Sequence, residues 1–438
     1  MRQLLDRLIA GTPPDAAPLT HVEELPPRLG VPVAWPEWTP GLLRSRFADV
    51  GVTAPWAHQA EAASAAYRGE SVVVATGTAS GKSLAYQLPG LTALFEDDRA
   101  RVLYLAPTKA LAGDQLRALR SLELPWLRAA AYDGDTPDDE RDWVRAHANW
   151  VLTNPDMLHR GILPAHGRWA SYFRRLRYVV VDECHAYRGL FGSHVAQILR
   201  RLRRVCAMYG ATPTFVLASA TVSAPAESAA RLVGTPVRAV TDDASPHGAI
   251  VFGLWEPPLT ALRGENGAPV RRSAGAEAGR LLADLVVEGS RTLVFVRSRR
   301  GAELTALTAQ RLLRDAGLDD LGVRVAAYRA GYLPEERREL EAALNSGELL
   351  GVAATNALEL GLDVSGLDAV VVAGFPGTLA SLWQQAGRAG RAGTASLVLF
   401  VARDDPLDTY LAHHPQAVFG RPIEATVFDP ANPYVLAP

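Results

Sequence analysis

At 438 residues, 48% of them hydrophobic and 21% charged, with a net charge of −2, the chain has an ordinary globular composition, and at roughly 150 residues per domain its length suits two or three domains. No apolar run approaches the roughly 20 residues of a membrane span, and the N-terminal MRQLLDRLIAGTPPD lacks the apolar stretch and cleavage site of a secretion signal. Two cysteines, Cys184 and Cys206, exclude a disulfide framework and a four-thiolate zinc site, so a soluble cytoplasmic protein is expected.

The first 50 residues are punctuated by proline (Pro13, Pro14, Pro26, Pro27, Pro32, Pro36, Pro40) and read as an irregular extension. From Trp56 onward, short β-rich runs alternate with helical patterns: SVVVAT (71–76), RVLYLAP (101–107), WVLTNP (150–155), RYVVVDE (177–183) and TFVLASA (214–220). Such near-continuous apolar runs without alternation are expected of parallel strands covered on both faces, hence a doubly wound α/β domain over 51–246. A second domain of the same grammar is expected over 247–438, with strands at 249–255, 291–298, 323–328, 348–355, 367–374 and 394–402. The Pro- and Gly-rich stretch 256–275 reads as an insertion loop close to the join.

The run Ala75-Thr76-Gly77-Thr78-Ala79-Ser80-Gly81-Lys82-Ser83 follows the first of these strands and precedes a helical pattern. Small residues let backbone N–H groups and a helix N-terminus face phosphates. Lys82 is expected on the terminal phosphates and Ser83 on Mg²⁺. Thr76 stands where the strict phosphate-loop pattern has its first glycine, and a turn that merely contains Gly-Lys-Ser is the alternative. Lys82 also belongs to a small set: all but two of the 45 cations are arginine, the other exception being Lys109. GC-rich coding explains the arginines, while an ammonium suits sites where a planar guanidinium does not fit.

Downstream, Val179-Val180-Val181-Asp182-Glu183-Cys184-His185 ends an apolar strand in adjacent acids, at the sheet edge where such folds bind ligands. Asp182 is placed to hold Mg²⁺ through water and Glu183 to activate the attacking water; a solvated strand end is the alternative. The cluster Arg200, Arg201, Arg203, Arg204 reads either as a solvated helix face or as the lining of a nucleic-acid path.

In this order the motifs resemble the superfamily-two helicases of the DEAD/DEAH-box type. More narrowly they resemble the YprA-type bacterial DNA helicases (the mitomycin repair factor A group), relatives of the fungal Hrq helicases. The matching stretches are TASGKS (78–83), DECHAYRGLFGSHVA (182–196), FVRSRRGAE (295–303), RAGYLPEERRE (329–339), ATNALELGLD (354–363) and FPGTLASLWQQAGRAGR (375–391). The resemblance implies two tandem RecA-like domains with an ATP cleft between them, using ATP and Mg²⁺. It implies that Gln59 in Trp56-Ala57-His58-Gln59 reads the adenine edge. Pro107, Thr108 and Lys109 (with Gln115 nearby), Thr153, Asn154, Arg297, Thr355 and Asn356 would contact the nucleic-acid strand. His185 and Ser219-Ala220-Thr221 would couple hydrolysis to strand movement, and Gly361 and Asp363 would approach the nucleotide. Gln384, Arg388 and Arg391 match the last motif; the two arginines, three apart and so on one helical face, would reach the γ-phosphate as fingers worth about 10³–10⁵ in rate.

The resemblance further implies a monomeric 3′→5′ motor on single-stranded DNA with a role in DNA repair. An RNA helicase on the same core, or a truncated nucleotide-dependent binding module, are the other readings. Members of the group continue into a C-terminal four-cysteine zinc region. This chain has no cysteine beyond Cys206, so no zinc is expected in it, and it is either a fragment of a longer protein or a form reduced to the motor.

Overall fold

The computed structural model describes residues 1–10, 17–264, 267, 269–328, 334–355, 367–390, 393–421 and 423–436. In chain order its strands are β1 Leu19–Leu25, β2 Val72–Ala75, β3 Arg101–Leu105, β4 Ala129–Ala131, β5 Trp150–Thr153, β6 Leu176–Val181, β7 Thr214–Ser219 and β8 Arg238–Val240. They continue with β9 Ile250–Trp255, β10 Leu259–Arg263, β11 Pro269–Arg271, β12 Thr292–Phe295, β13 Val325–Tyr328, β14 Gly351–Ala354, β15 Ala369–Ala373 and β16 Ser396–Val401. Every apolar run read as a strand forms one.

Two units result. One comprises Gly30–Ser245 with Ile423–Pro438, the other Met1–Leu29 with Pro246–Pro422. The first carries a seven-stranded sheet in the order β4-β5-β3-β6-β7-β2-β8, parallel throughout. Alternate residues of one strand enter opposite cores, because strand side chains have a period of two. Val72, Val74, Tyr104 and Val180 pack with the helices Ala57–Tyr67 and Ser83–Glu96. Val73, Leu103, Leu105, Val179 and Val181 pack on the other face with the helices Gly189–Met208 and Pro225–Val233. Both faces being covered, these strands have no polar side to show water, which is why their sequences do not alternate.

The second unit's sheet runs β1-β9-β16-β15-β12-β14-β13. It is parallel except where β1 joins β9 antiparallel. Within it Asp408, fully buried, accepts hydrogen bonds from Phe375 N (3.1 Å), Arg403 N (2.9 Å) and the Arg403 guanidinium (3.0 and 3.1 Å). That ion pair anchors the turn after β15, ahead of the helix Leu379–Ala386.

The structure corrects the reading of three segments. Residues 1–50 are not an irregular extension: the helix Arg2–Leu8 buries Leu4, Leu5 and Leu8 against the second unit, and β1 supplies that unit's edge strand. The helix Gly41–Asp49 sends Leu43 and Phe47 into the first unit's core. Within 256–275, β10 and β11 pair as an antiparallel hairpin and the helix Ala274–Val287 has begun. Residues from Ile423 onward, read as part of the second domain, group with the first. Prolines flank β1 and precede the helix Gly41–Asp49, which hid those elements, and the strands of the hairpin are only five and three residues long. The last is a long-range contact that no local pattern encodes.

Candidate functional site

β2 delivers the chain into the loop 76–82, and the helix Ser83–Glu96 leaves it. That helix is buried from Leu84 to Leu94, so the loop's far end is fixed by the core. Positive φ at Ala79 (62°) and Gly81 (73°) gives the left-handed steps by which a short loop turns successive N–H groups to one side. Thr76 is absent from the positive-φ positions, so the glycine of the strict pattern is not needed there. Its buried hydroxyl lies 2.7 Å from Ser80 Oγ and braces the loop across its mouth.

Around this loop the structure assembles residues that the motif alone does not name. Gln59 accepts the Trp56 N–H at Oε1 (2.8 Å) and donates from Nε2 to Ser80 O (3.2 Å) and Gly81 O (2.9 Å). The adenine reading of Gln59 thus meets a side chain whose amide donors already hold the loop 76–82. His58 Nδ1 accepts the Ala244 N–H (3.2 Å), which leaves the proton on Nε2 to reach Ser80 O (3.0 Å). Asp243 accepts the Gly77 N–H (3.2 Å). A Cβ at Gly81 would collide with Gln59 Nε2, and the backbone there is left-handed. Gly81→Ala is therefore expected to cost about 1–3 kcal/mol of stability, read as a lower denaturant midpoint with an unchanged slope; an unaltered midpoint would remove the glycine requirement.

Lys82 Nζ donates to Thr76 O (3.3 Å) and Gly77 O (2.9 Å), half-buried at the loop's centre. Ser83 Oγ lies 3.1 Å from Tyr86 Oη and accepts from Gln115 Nε2 (3.2 Å), whose Oε1 accepts from Gln87. Tyr86 and Tyr104 both donate to Asp182 Oδ2, at 3.0 and 2.6 Å, while Oδ1 accepts the Glu183 N–H (2.8 Å). One network therefore joins the loop's serine to the acid at the end of β6. Burial raises the Asp182 carboxyl above the ordinary aspartate range, and the adjacent Glu183 charge adds to this; the tyrosines and the Glu183 N–H oppose it. The tyrosines were missed from sequence, although a tyrosine in an all-buried helix needs a polar partner.

Glu183 occupies left-handed backbone, φ 46° and ψ 43°, a strained conformation for a residue with a side chain. Its Oε2 is buried with no hydrogen-bond partner among the described residues. His185 Nδ1 stands 3.3 Å away but accepts the Ala220 N–H (3.1 Å), and so has no proton to give it. That bond joins His185 directly to Ser219-Ala220-Thr221 at the end of β7. Cys184, between the two, is inert: burial pushes its thiol up to about 12. The donors gathered here are hard oxygens with surplus negative character, the chemistry that suits magnesium; among the described residues there is no cluster of three or more His, Cys, Asp or Glu fit to hold a metal unaided.

The expected strand contacts divide. Thr108 caps the helix Lys109–Arg120, accepting Leu111 N (3.3 Å), just after Pro107. Lys109 Nζ lies 2.6 Å from Asp135 and 3.9 Å from Asp133, so its charge is already countered. The Thr153 hydroxyl is buried and donates to Tyr132 O (2.6 Å); it points into the protein and not toward a phosphate. Asn154 is the cap of the next turn, accepting Met157 N (2.9 Å). Arg200 and Arg203 are neither a free solvated face nor a path lining, because their guanidinium groups donate to the carbonyls of Arg231, Leu232 and Gly234 at the end of the helix Pro225–Val233.

In the second unit, Arg297 is exposed beyond β12 and Thr355 is buried at the end of β14. Gln384 is buried in the helix Leu379–Ala386. That helix ends before Arg388, which is buried in the turn beyond it; the shared helical face expected for Arg388 and Arg391 is not formed through Arg388. Asn356, Gly361, Asp363 and Arg391 lie outside the described residues. No helix among the described residues is long and apolar enough to cross a membrane.

Residues 56–229 match the DEAD/DEAH box helicase family and residues 277–393 the helicase conserved C-terminal domain. The chain is 42% identical over 417 residues to the uncharacterized ATP-dependent helicase YprA of Bacillus subtilis, covering 94% of this chain and 55% of that protein. It is 40% identical over 371 residues to the ATP-dependent helicase HRQ1 of Saccharomyces cerevisiae, covering 83% and 34%. It therefore spans between a third and just over half of these relatives. The crystal structure of the helicase MrfA bound to DNA and AMPPNP superposes with a TM-score of 0.91 at 40% identity, covering all of this chain and 60% of that one.

Proposed function

The chain belongs to the DEAD/DEAH-box helicases of superfamily two, and from that premise we propose that it is the motor core of an ATP-dependent 3′→5′ DNA helicase. The observation that carries this reading is the pairing at the end of β6. Asp182 is buried and held by Tyr86 and Tyr104, the first of which also reaches Ser83, while Glu183 keeps a buried carboxylate oxygen with no hydrogen-bond partner among the described residues.

In this mechanism Lys82 and the loop amides bind the β- and γ-phosphates of ATP. Ser83 and Asp182 would hold magnesium, largely through water, and the ion when bound neutralises phosphate charge. Glu183 takes a proton from the water that attacks the γ-phosphorus. By motif position Gln384, Arg388 and Arg391 bring positive charge and hydrogen bonds to the transferring phosphoryl group, Gly361 and Asp363 attend the nucleotide, and Thr355 and Asn356 with Arg297 attend the strand. Loss of the γ-phosphate reaches Ser219-Ala220-Thr221 through His185, whose ring accepts the Ala220 N–H. The MrfA structures bound to DNA support DNA as the partner; by motif position a single strand is contacted through Lys109 once its carboxylate partners yield it. A monomeric cytoplasmic protein acting in DNA repair completes the proposal, with ATP and Mg²⁺ as cofactors and no zinc held by these residues.

The test is ATP hydrolysis without nucleic acid, with single-stranded DNA and with RNA of the same sequence, alongside displacement of a strand from a 3′-tailed duplex. Turnover stimulated by DNA above RNA, with displacement, is expected. Stimulation by RNA alone would replace the DNA assignment, and absence of turnover under all three conditions would overturn the motor itself.

A further inference from the structure

The segment beginning at Ile423 follows the second domain in sequence yet packs with the first. It is bound along its length there. Ala425 bridges Ser223 in parallel, Val427 O accepts the Gly189 N–H (2.7 Å) and Asp429 N donates to Ser193 Oγ (3.1 Å). Gln197 Nε2 donates to Pro430 O (2.5 Å). At the centre lies Phe428, 3% exposed and part of the core that contains Val181, Cys184 and Tyr187. The Arg231 guanidinium sits 5.3 Å above its ring and also donates to its carbonyl. Gly192 leaves the room: a Cβ there would meet Phe428 Cβ at 3.0 Å.

What Phe428 packs beside gives this strap a consequence. Phe428 and Thr426 line the same small cavity as Cys184, His185 and Ser219. Those three belong to the strand ends of β6 and β7, which are joined by the bond from the Ala220 N–H to His185 Nδ1. Close-packed interiors transmit displacement, and this cavity, of about 10 Å³, is too small for a side chain to move into. A phenyl ring forming one wall of this cavity therefore limits where the His185 ring and the Ser219 strand end can move.

We propose that Phe428 is a positioning residue for the ATPase site, the strap 423–430 holding the His185–Ala220 bond in register from behind. This rests on the reading of the chain as an ATP-driven motor, but its first test does not. Hydrogen exchange of the Ala220 amide, measured without nucleotide on the full chain, is expected to quicken about ten-fold in Phe428→Ala as that bond opens more often, while amides in β12 and β15 keep their wild-type rates. Arg231→Ala, a surface change that releases the strap without opening a cavity, is expected to act in the same direction, and Phe428→Leu to restore slow exchange.

In turnover, Phe428→Ala is expected to lower DNA-stimulated kcat by about 10- to 100-fold through misplacement of a remote group, with KM for ATP unchanged. Ala220 exchange at the wild-type rate in folded Phe428→Ala overturns the proposal. So does a fall in kcat matched by equal loss of nucleotide binding across the site, which is the signature of a core filler. A wild-type chain without turnover overturns the motor reading instead and leaves the exchange result to decide the strap.

Discussion

Glu183→Gln is expected to bind ATP and hydrolyse it about 10²–10⁴-fold more slowly, the range that loss of a positioned general base commands. The substitution keeps the volume and one oxygen, so neither the strained turn at φ 46° nor the surrounding core is disturbed. What goes is the proton-accepting oxygen, the buried Oε2 that no described hydrogen-bond donor satisfies. A second, opposite effect accompanies it. The Glu183 charge is one cause of the raised Asp182 carboxyl; without it Asp182 ionises more readily, so affinity for magnesium–ATP should hold or increase. Turnover falling with affinity preserved is the expected pair of results, from steady-state kinetics and fluorescent-nucleotide titration. Unchanged turnover would take the water-activating role away from Glu183.

Lys82→Ala is expected to reduce kcat/KM for ATP by about 10²–10³-fold, the cost of removing one preorganised charged donor from a phosphoryl-transfer site. The Lys82 ammonium is held by two carbonyls of its own loop, Thr76 O and Gly77 O, so it is oriented before any phosphate arrives. Its loss should leave the fold intact, because Gln59, His58 and the Thr76–Ser80 pair still brace the loop. Thermal unfolding close to wild type, together with weak nucleotide binding, is therefore the expected signature. Lys82→Arg should not rescue it, since a planar guanidinium cannot replace a compact ammonium between two carbonyls 2.9 and 3.3 Å away. Full activity in Lys82→Arg would remove the physical reason for a lysine at this position in an arginine-rich chain.

Where the motif residues stand in the fold was legible because it depends on neighbours in the chain. Lys82 and Ser83 stand at a strand–loop–helix junction, and Asp182 and Glu183 end an apolar strand; spacing alone brings each set to the edge of its sheet. The residues that tune the site were not legible. Tyr104 reaches Asp182 from 78 residues upstream and Asp243 reaches Gly77 from 166 residues downstream, and neither carries a local signature. The resemblance gave Gln59 and Thr153 partners outside the protein, yet their side chains face inward, Gln59 to the loop and Thr153 to Tyr132 O. Two of the four clustered arginines likewise serve helix-end carbonyls.

The sequence by itself determined the two α/β halves, since runs buried on both faces must be continuously apolar, and it determined the small-residue loop 76–82 between strand and helix and the acidic strand end, since those need only neighbours in the chain. Tertiary structure alone decided where the chain's ends belong. Residues 1–29 join the second unit and residues from Ile423 join the first, because β1 and Phe428 find their partners, β9 and the Cys184 core, more than 200 residues away. Such contacts form only when the intervening chain has folded, so no window of sequence contains them.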